Sequence, residues 1–208
     1  VGLPLAVFFG LKYKVIAFDT NKLRINELKE GYDRNKQINK RKLNNKNLLF
    51  TFSEAQLKKC NIYIITVPTP IFKNKTPDLR YISNASKLAA RFLSPKNIVV
   101  YESTVYPGAT EEFCVPILEK RSGLKVNKDF FVGYSPERIN VGDNQNRIDN
   151  VSKIISGSNN KTLNKLHSLY KSVLSSKIYK VSSIKIAEAS KITENIQRDV
   201  NIGLINEL

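Results

Sequence analysis

Lys191 and Asn195 stand four residues apart in the run AEASKITEN, a spacing that sets both side chains on one face of a helix. An ammonium and an amide side by side can stabilise an oxyanion as it develops. Glu137, in SPER just after an apolar stretch, offers a carboxylate that can act as a general base or orient a water. Arg138 follows it with a guanidinium fork suited to phosphate. Thr69 in VPTP and Thr104 in STVYPG each present a hydroxyl where a strand-like run ends. Plainer readings exist for all of them. A lysine is usually solvated, Glu137 and Arg138 could form a surface salt bridge, and a threonine in a Pro- or Gly-rich turn often caps the next segment. Thr110, after the Pro107-Gly108 turn, is a candidate cap for the helix that follows.

A second constellation lies near the start. Gly2 opens an apolar helical pattern, and Asp19 closes the strand-like VIAFD. A glycine turn into a helix N-terminus, followed by a strand ending in an acid, is how dinucleotides are held. If Gly2 is the third glycine of such a turn, Asp19 falls about 20 residues beyond the first, at the ribose position. The first strand and the first two glycines would precede Val1. Asp19 favours NAD over NADP, because a carboxylate repels a 2′-phosphate. Arg24 lies close enough to reach adenine or phosphate, or is simply an exposed helix residue. By itself this motif is equally consistent with a strand that ends in a loop.

Parallel strands present ligands at their carboxyl ends, so these residues require a particular scaffold. Short apolar runs at Val15–Phe18, Leu48–Thr51, Ile62–Val67, Ile98–Tyr101, Phe130–Tyr134, Ile154–Ser156 and Ile178–Val181 read as strands covered on both faces. Helical patterns lie between them at Leu3–Leu11, Asn21–Glu30, Ser53–Lys59, Leu79–Phe92, Thr110–Lys120 and Thr162–Leu174. This alternation predicts an α/β fold, a Rossmann-like doubly wound and mainly parallel sheet with its first strand truncated. From Ser183 the pattern becomes one long helix, Ile184 to Leu208, well beyond the average of about 11–12 residues. We expect residues 1–182 to form the NAD-binding domain and 183–208 to begin a central linker helix. The chain opens without Met at Val1 and stops inside a helical pattern, so we expect truncation at both ends.

Composition narrows the classes. With 208 residues and 41% hydrophobic content, the chain can bury one substantial core. No apolar run approaches the roughly 20 residues of a membrane span. Two cysteines, Cys60 and Cys114, make no disulfide framework, and a reducing cytoplasm is the default location. The net charge of +16 raises nucleic-acid binding. Its densest stretch, Asn35 to Asn47, has no interleaved aromatics and no recognition motif, so attraction for phosphorylated ligands is the safer inference.

Four later segments carry a resemblance: VPTPI (Val67–Ile71), YESTVYPGATEE (Tyr101–Glu112), GYSPERINVGD (Gly133–Asp143) and KIAEASKITENIQRDVNIGLINEL (Lys185–Leu208). In order and spacing the chain resembles the UDP-glucose/GDP-mannose dehydrogenase family over essentially its whole length. Within the family it is most similar to bacterial enzymes that oxidise UDP-N-acetylhexosamines for capsule or O-antigen synthesis. The resemblance implies oxidation of a sugar C6 alcohol to a carboxylate, with two NAD reduced per sugar and a cysteine forming thiohemiacetal and thioester intermediates. It implies two Rossmann-like domains joined by a long helix that also makes a homodimer.

By the same resemblance, Thr69 and Thr104 contact NAD, and Thr104 helps hold the catalytic water. Glu137 serves the hydrolytic step, Arg138 and Ile139 contact the substrate, and Lys191 and Asn195 are the active-site pair. The family usually has Pro where Val141 stands, so this loop can differ in shape. Cys60 and Cys114 read as structural, and the nucleophilic cysteine is expected beyond Leu208. His167 is assigned nothing, and no metal site is assigned. The rivals are another Rossmann dehydrogenase, of the 3-hydroxyacid or 6-phosphogluconate type, and a basic phosphate- or nucleic-acid-binding module. The sugar itself is not identified.

Overall fold

A computed structural model describes residues 2–137 and 151–208. Helix α1 (Gly2–Gly10) leads into β1 (Val15–Phe18), followed by α2 (Lys22–Lys29), α3 (Lys40–Leu43) and β2 (Leu48–Thr51). A 3₁₀ turn at Glu54–Lys59 precedes β3 (Ile62–Ile65), then α4 (Arg80–Ala90) and β4 (Ile98–Tyr101). A π-helical turn, Ala109–Cys114, runs into α5 (Val115–Ser122) and β5 (Phe131–Tyr134). The chain continues as β6 (Lys153–Gly157), α6 (Asn160–Lys171), β7 (Ile178–Lys180) and α7 (Ile184–Glu207).

Every strand predicted from the sequence is present within a residue or two of its expected bounds. Two details differ. The helix expected from Thr110 begins as a π turn, and Pro116 near the start of α5 supplies a reason, since it has no N–H to donate into a regular α ladder. The short α3 was not expected, because the charges of its KRKL sequence obscure its one buried side chain, Leu43.

Strands β3, β4 and β5 pair in parallel, while β6 runs antiparallel to β5 and carries β7 parallel to itself. Residues alternate across β4. Val99 and Tyr101 pack with Ile82, Leu118 and Ile184 on one face, and Ile98 and Val100 pack with Leu5, Leu166 and Tyr170 on the other. Strands β1 and β2 form a separate parallel pair. Between β1 and β3 lies a slot of about 1150 Å³, lined by Ile16 and Phe18 on one side and Ile62 and Ile64 on the other. Among the described residues neither strand pairs across it.

The basic stretch is anchored rather than free. Asp33, 6% exposed, accepts from the amides of Asn35, Gln37 and Ile38 and from Arg24 Nη2. Burial opposes its charge, but the bonds from Arg24, Ile38 and Asn35 prevail and hold the carboxyl below its ordinary value. Asp33→Ala should therefore cost about 3 kcal/mol at pH 7, by stranding those donors. A lowered folded pKa stabilises fully above the unfolded value of about 3.9, and that contribution is lost as pH falls through the folded one. Thermal melts should show the gap between wild type and variant closing below about pH 4. A gap that persists unchanged at pH 3 would contradict this.

Candidate active site

Because β3, β4 and β5 run parallel, the segments that follow them emerge at one edge of the sheet. Hydrogen bonds tie these segments together. Ser103 Oγ donates to the Val67 carbonyl at 2.6 Å, and Thr69 Oγ1 donates to the Thr104 carbonyl at 2.5 Å. Tyr134, fully buried at the end of β5, donates its hydroxyl to the Ser103 carbonyl at 3.0 Å. The predicted pair Thr69 and Thr104 is thus brought into direct contact. Both are only partly buried, and Thr69 Oγ1 keeps acceptor capacity while its proton is committed.

Glu137 closes the same edge from β5 and is 8% exposed. Its Oε2 lies 3.9 Å from the buried ammonium of Lys153. The predicted substrate contacts Arg138 and Ile139 lie outside the described residues.

Helix α7 is fastened to this edge by a residue that sequence reasoning overlooked. Glu188, fully buried, accepts from the amides of Gly108 at 2.6 Å and Thr110 at 2.8 Å. Gly108 has φ +97°, a conformation that suits glycine, and its amide points into the carboxylate. The expected Thr110 cap is corrected here, since its side chain makes no cap hydrogen bond and the carboxylate from α7 takes the amides instead. Helix N-termini favour such an anion. The available signal was the i, i+3, i+4 set Ile184, Ala187 and Glu188, a buried stripe with one charge in it.

Lys191 sits one turn past Glu188 and is half-buried. Asn195, a further turn along, is exposed and accepts from Arg198 Nη2 at 2.7 Å. Their common face therefore starts at the pinned end of α7 and runs outward.

At the far side of the edge, Gly2 faces the end of β3. A Cβ on Gly2 would stand 2.5 Å from Thr66 Oγ1, so only glycine allows this approach. Gly2, Asp19, Arg24 and Thr66 all line the slot described above. Asp19 is exposed, and its Oδ1 accepts from the Asn21 amide. Arg24 is not an exposed helix residue. Its side chain is 13% exposed and pairs with Asp33 at 2.5 Å. A cleft with a glycine at a helix start and a free-facing carboxylate at a strand end fits a dinucleotide.

Burial disfavours the thiolate form at both cysteines. Burial pushes Cys114 up to about 12, and burial also raises Cys60, which lies before β3 at the opposite edge. His167 lies partly exposed on α6. Among the described residues no group of His, Cys, Asp or Glu could hold a metal ion, and no helix is long and apolar enough to cross a membrane.

Comparison with known proteins agrees with this geometry. Protein CapL of Staphylococcus aureus is 54% identical over 208 residues, covering 100% of this chain and 49% of CapL. A UDP-N-acetyl-D-glucosamine 6-dehydrogenase of Pseudomonas aeruginosa is 52% identical over 209 residues, covering 100% of this chain and 50% of that protein. The solved UDP-D-ManNAc dehydrogenase of Pyrococcus horikoshii superposes with a TM-score of 0.91 at 33% identity, over 100% of this chain and 50% of that one. The chain thus spans about half the length of the curated relatives it matches. Residues 1–174 match the family model described as UDP-glucose/GDP-mannose dehydrogenase family, NAD binding domain. With that match, the chain belongs to the UDP-glucose/GDP-mannose dehydrogenase family and carries its NAD-binding domain.

Proposed function

We propose that the whole protein oxidises the C6 alcohol of a UDP-sugar, a UDP-N-acetylhexosamine by preference, to the uronic acid for surface polysaccharide synthesis. The observation that carries this reading is the cross-linked edge where Thr69 is bonded to Thr104, Glu137 follows the neighbouring strand β5, and Glu188 anchors α7. The names of the similar proteins from P. aeruginosa and P. horikoshii support the substrate class.

In this reading Gly2, Asp19, Arg24, Thr69 and Thr104 hold NAD, which accepts hydride when bound. Asp19 takes the ribose hydroxyls. A further strand laid in the slot between β1 and β3 would join the two sheets and bring a phosphate-binding turn to Gly2. Lys191 and Asn195 stabilise negative charge on the C6 oxygen. Glu137 removes a proton from the hydrolytic water, which Thr104 helps hold. Arg138 and Ile139 contact the substrate.

We assign residues 1–182 to the NAD-binding unit and 183–208 to the start of a linker helix, with the cytoplasm as the site of action. The exposed stripe Ile196, Val200 and Leu204 on α7 gives a homodimer its contact. The folded Asp33 nest leaves the basic stretch without the loose character of a nucleic-acid arm.

The test is NADH formation by the whole protein with NAD and each of UDP-GlcNAc, UDP-GalNAc, UDP-ManNAc and UDP-glucose. A UDP-N-acetylhexosamine should give the highest kcat/KM, and sedimentation of the same sample should show a dimer. The 208-residue chain alone should give no turnover, because Cys114 is buried inside the core, and Cys60 is half-buried before β3 at the edge away from Thr69, Thr104 and Glu137. Silence from the whole protein with every UDP-sugar, or turnover by the chain alone, would refute the reading.

A further inference from the structure

Behind Glu137 lies a buried charged cluster of Glu102, Lys153 and Tyr170. Glu102 directly follows β4, with its side chain at 0% exposure. Lys153 Nζ, on a side chain 4% exposed, donates to Glu102 Oε2 at 2.9 Å. The Tyr170 hydroxyl, from α6, donates to Glu102 Oε1. The same ammonium lies 5.5 Å from the Tyr170 ring centroid and 3.9 Å from Glu137 Oε2.

The arrangement depends on the reversal of β6. A parallel strand would start at the opposite edge, far from the loops. β6 instead pairs Tyr134 with Ser156 in antiparallel register. Carried three residues further, that register sets Lys153 opposite Glu137. Ser135 Oγ, bonded to the Ile154 carbonyl at 2.8 Å, holds the intervening segment.

Burying a lysine between carboxylates is expensive, and apolar replacements of such groups are often neutral or stabilising. Packing alone therefore does not account for this ammonium. We propose that Lys153 is a positioning residue for the proposed base Glu137. Glu102 and Tyr170 fix the ammonium, and the ammonium, 3.9 Å from Oε2, orients the Glu137 carboxylate where the chain leaves β5.

This rests on Glu137 acting as the base. Among the described residues, the titratable groups around it are Glu102 just after β4, Lys153 from β6 and Tyr170 from α6. Burial pushes Glu102 up, Lys153 pulls it down, and Glu137 adds to the rise, so among the described residues the two carboxylates share the Lys153 ammonium.

The test uses Lys153→Met, Lys153→Arg and Glu102→Gln in the whole protein, read by kcat, KM, melting temperature and pH–rate profile. Lys153→Met should lower kcat up to about 100-fold, with KM within about twofold, since a misplaced group loses rate rather than affinity. Its acid limb should move to higher pH, because two facing carboxylates without a cation keep a shared proton longer. Glu102→Gln should move the limb the opposite way, by leaving the ammonium to one carboxylate. Lys153→Arg should recover part of kcat. A purely structural role would give no such opposed shifts.

If Lys153→Met does not fold, the double variant Lys153→Met/Glu102→Gln removes both charges, and its limb should lie alkaline of Glu102→Gln alone. A folded Lys153→Met, or the double variant compared with Glu102→Gln, that shows no change in kcat or limb overturns the proposal. Glu137→Gln separates the two failures. Full activity there sinks the assignment of the base itself. Inactivity there, with Lys153→Met like wild type, sinks only the positioning role.

Discussion

Lys191→Ala in the whole protein is expected to lower kcat about 100- to 1,000-fold, with KM little changed. The size follows from the proposed role. A preorganised cation beside the C6 oxygen acts only as negative charge develops, so its loss appears in rate and not in ground-state binding. The structure bears on this through Glu188, which buries its carboxylate against the Gly108 and Thr110 amides one turn before Lys191. That contact sets where the start of α7 lies and limits how far Lys191 can stray. The first turnover should be slowed as much as the steady state, because hydride transfer is the step affected. A variant with kcat within tenfold of wild type and an unchanged melting temperature would remove Lys191 from the chemistry.

Glu137→Gln should leave hydride transfer largely intact but slow steady-state turnover about 100- to 10,000-fold, the range for loss of a general base. Rapid mixing should then show a burst of two NADH per active site, since both hydride transfers precede hydrolysis, followed by a nearly flat phase. Glutamine keeps the size of glutamate but cannot take a proton from water. Glu137 is 8% exposed beside Lys153, so a neutral replacement also leaves that ammonium with Glu102 as its remaining carboxylate partner among the described residues. The melting temperature should therefore be measured alongside. If burst and steady state fall together, Glu137 acts before hydrolysis, and its assignment as the hydrolytic base fails.

Much of this architecture was legible along the chain. Runs such as VIAF and IVVY hold β-branched and aromatic residues that suit strands covered on both faces, and β4 is buried at all four positions. The long helix was visible because Ile184 to Leu208 contains no proline and begins after Ser183, whose side chain accepts from the Ile186 amide. Thr69, Thr104 and Glu137 were legible as candidates because each follows a strand, and parallel strands end where ligands bind. The anchored loop around Asp33 was not, since its charges read as solvated until the amides they receive are seen.

By itself, the order of apolar runs and turn residues determined the elements and which chain positions fall at the carboxyl edge, because those properties depend on local periodicity. Tertiary structure alone decided the pairings. Glu102 meets Lys153 across 51 residues, and Glu188 meets Gly108 across 80. Nothing local requires β6 to run backwards, yet that reversal is what brings a lysine to Glu137. Charges buried in pairs leave no periodic trace. Their partners are chosen by how strands and helices stack, and only the folded chain sets that geometry.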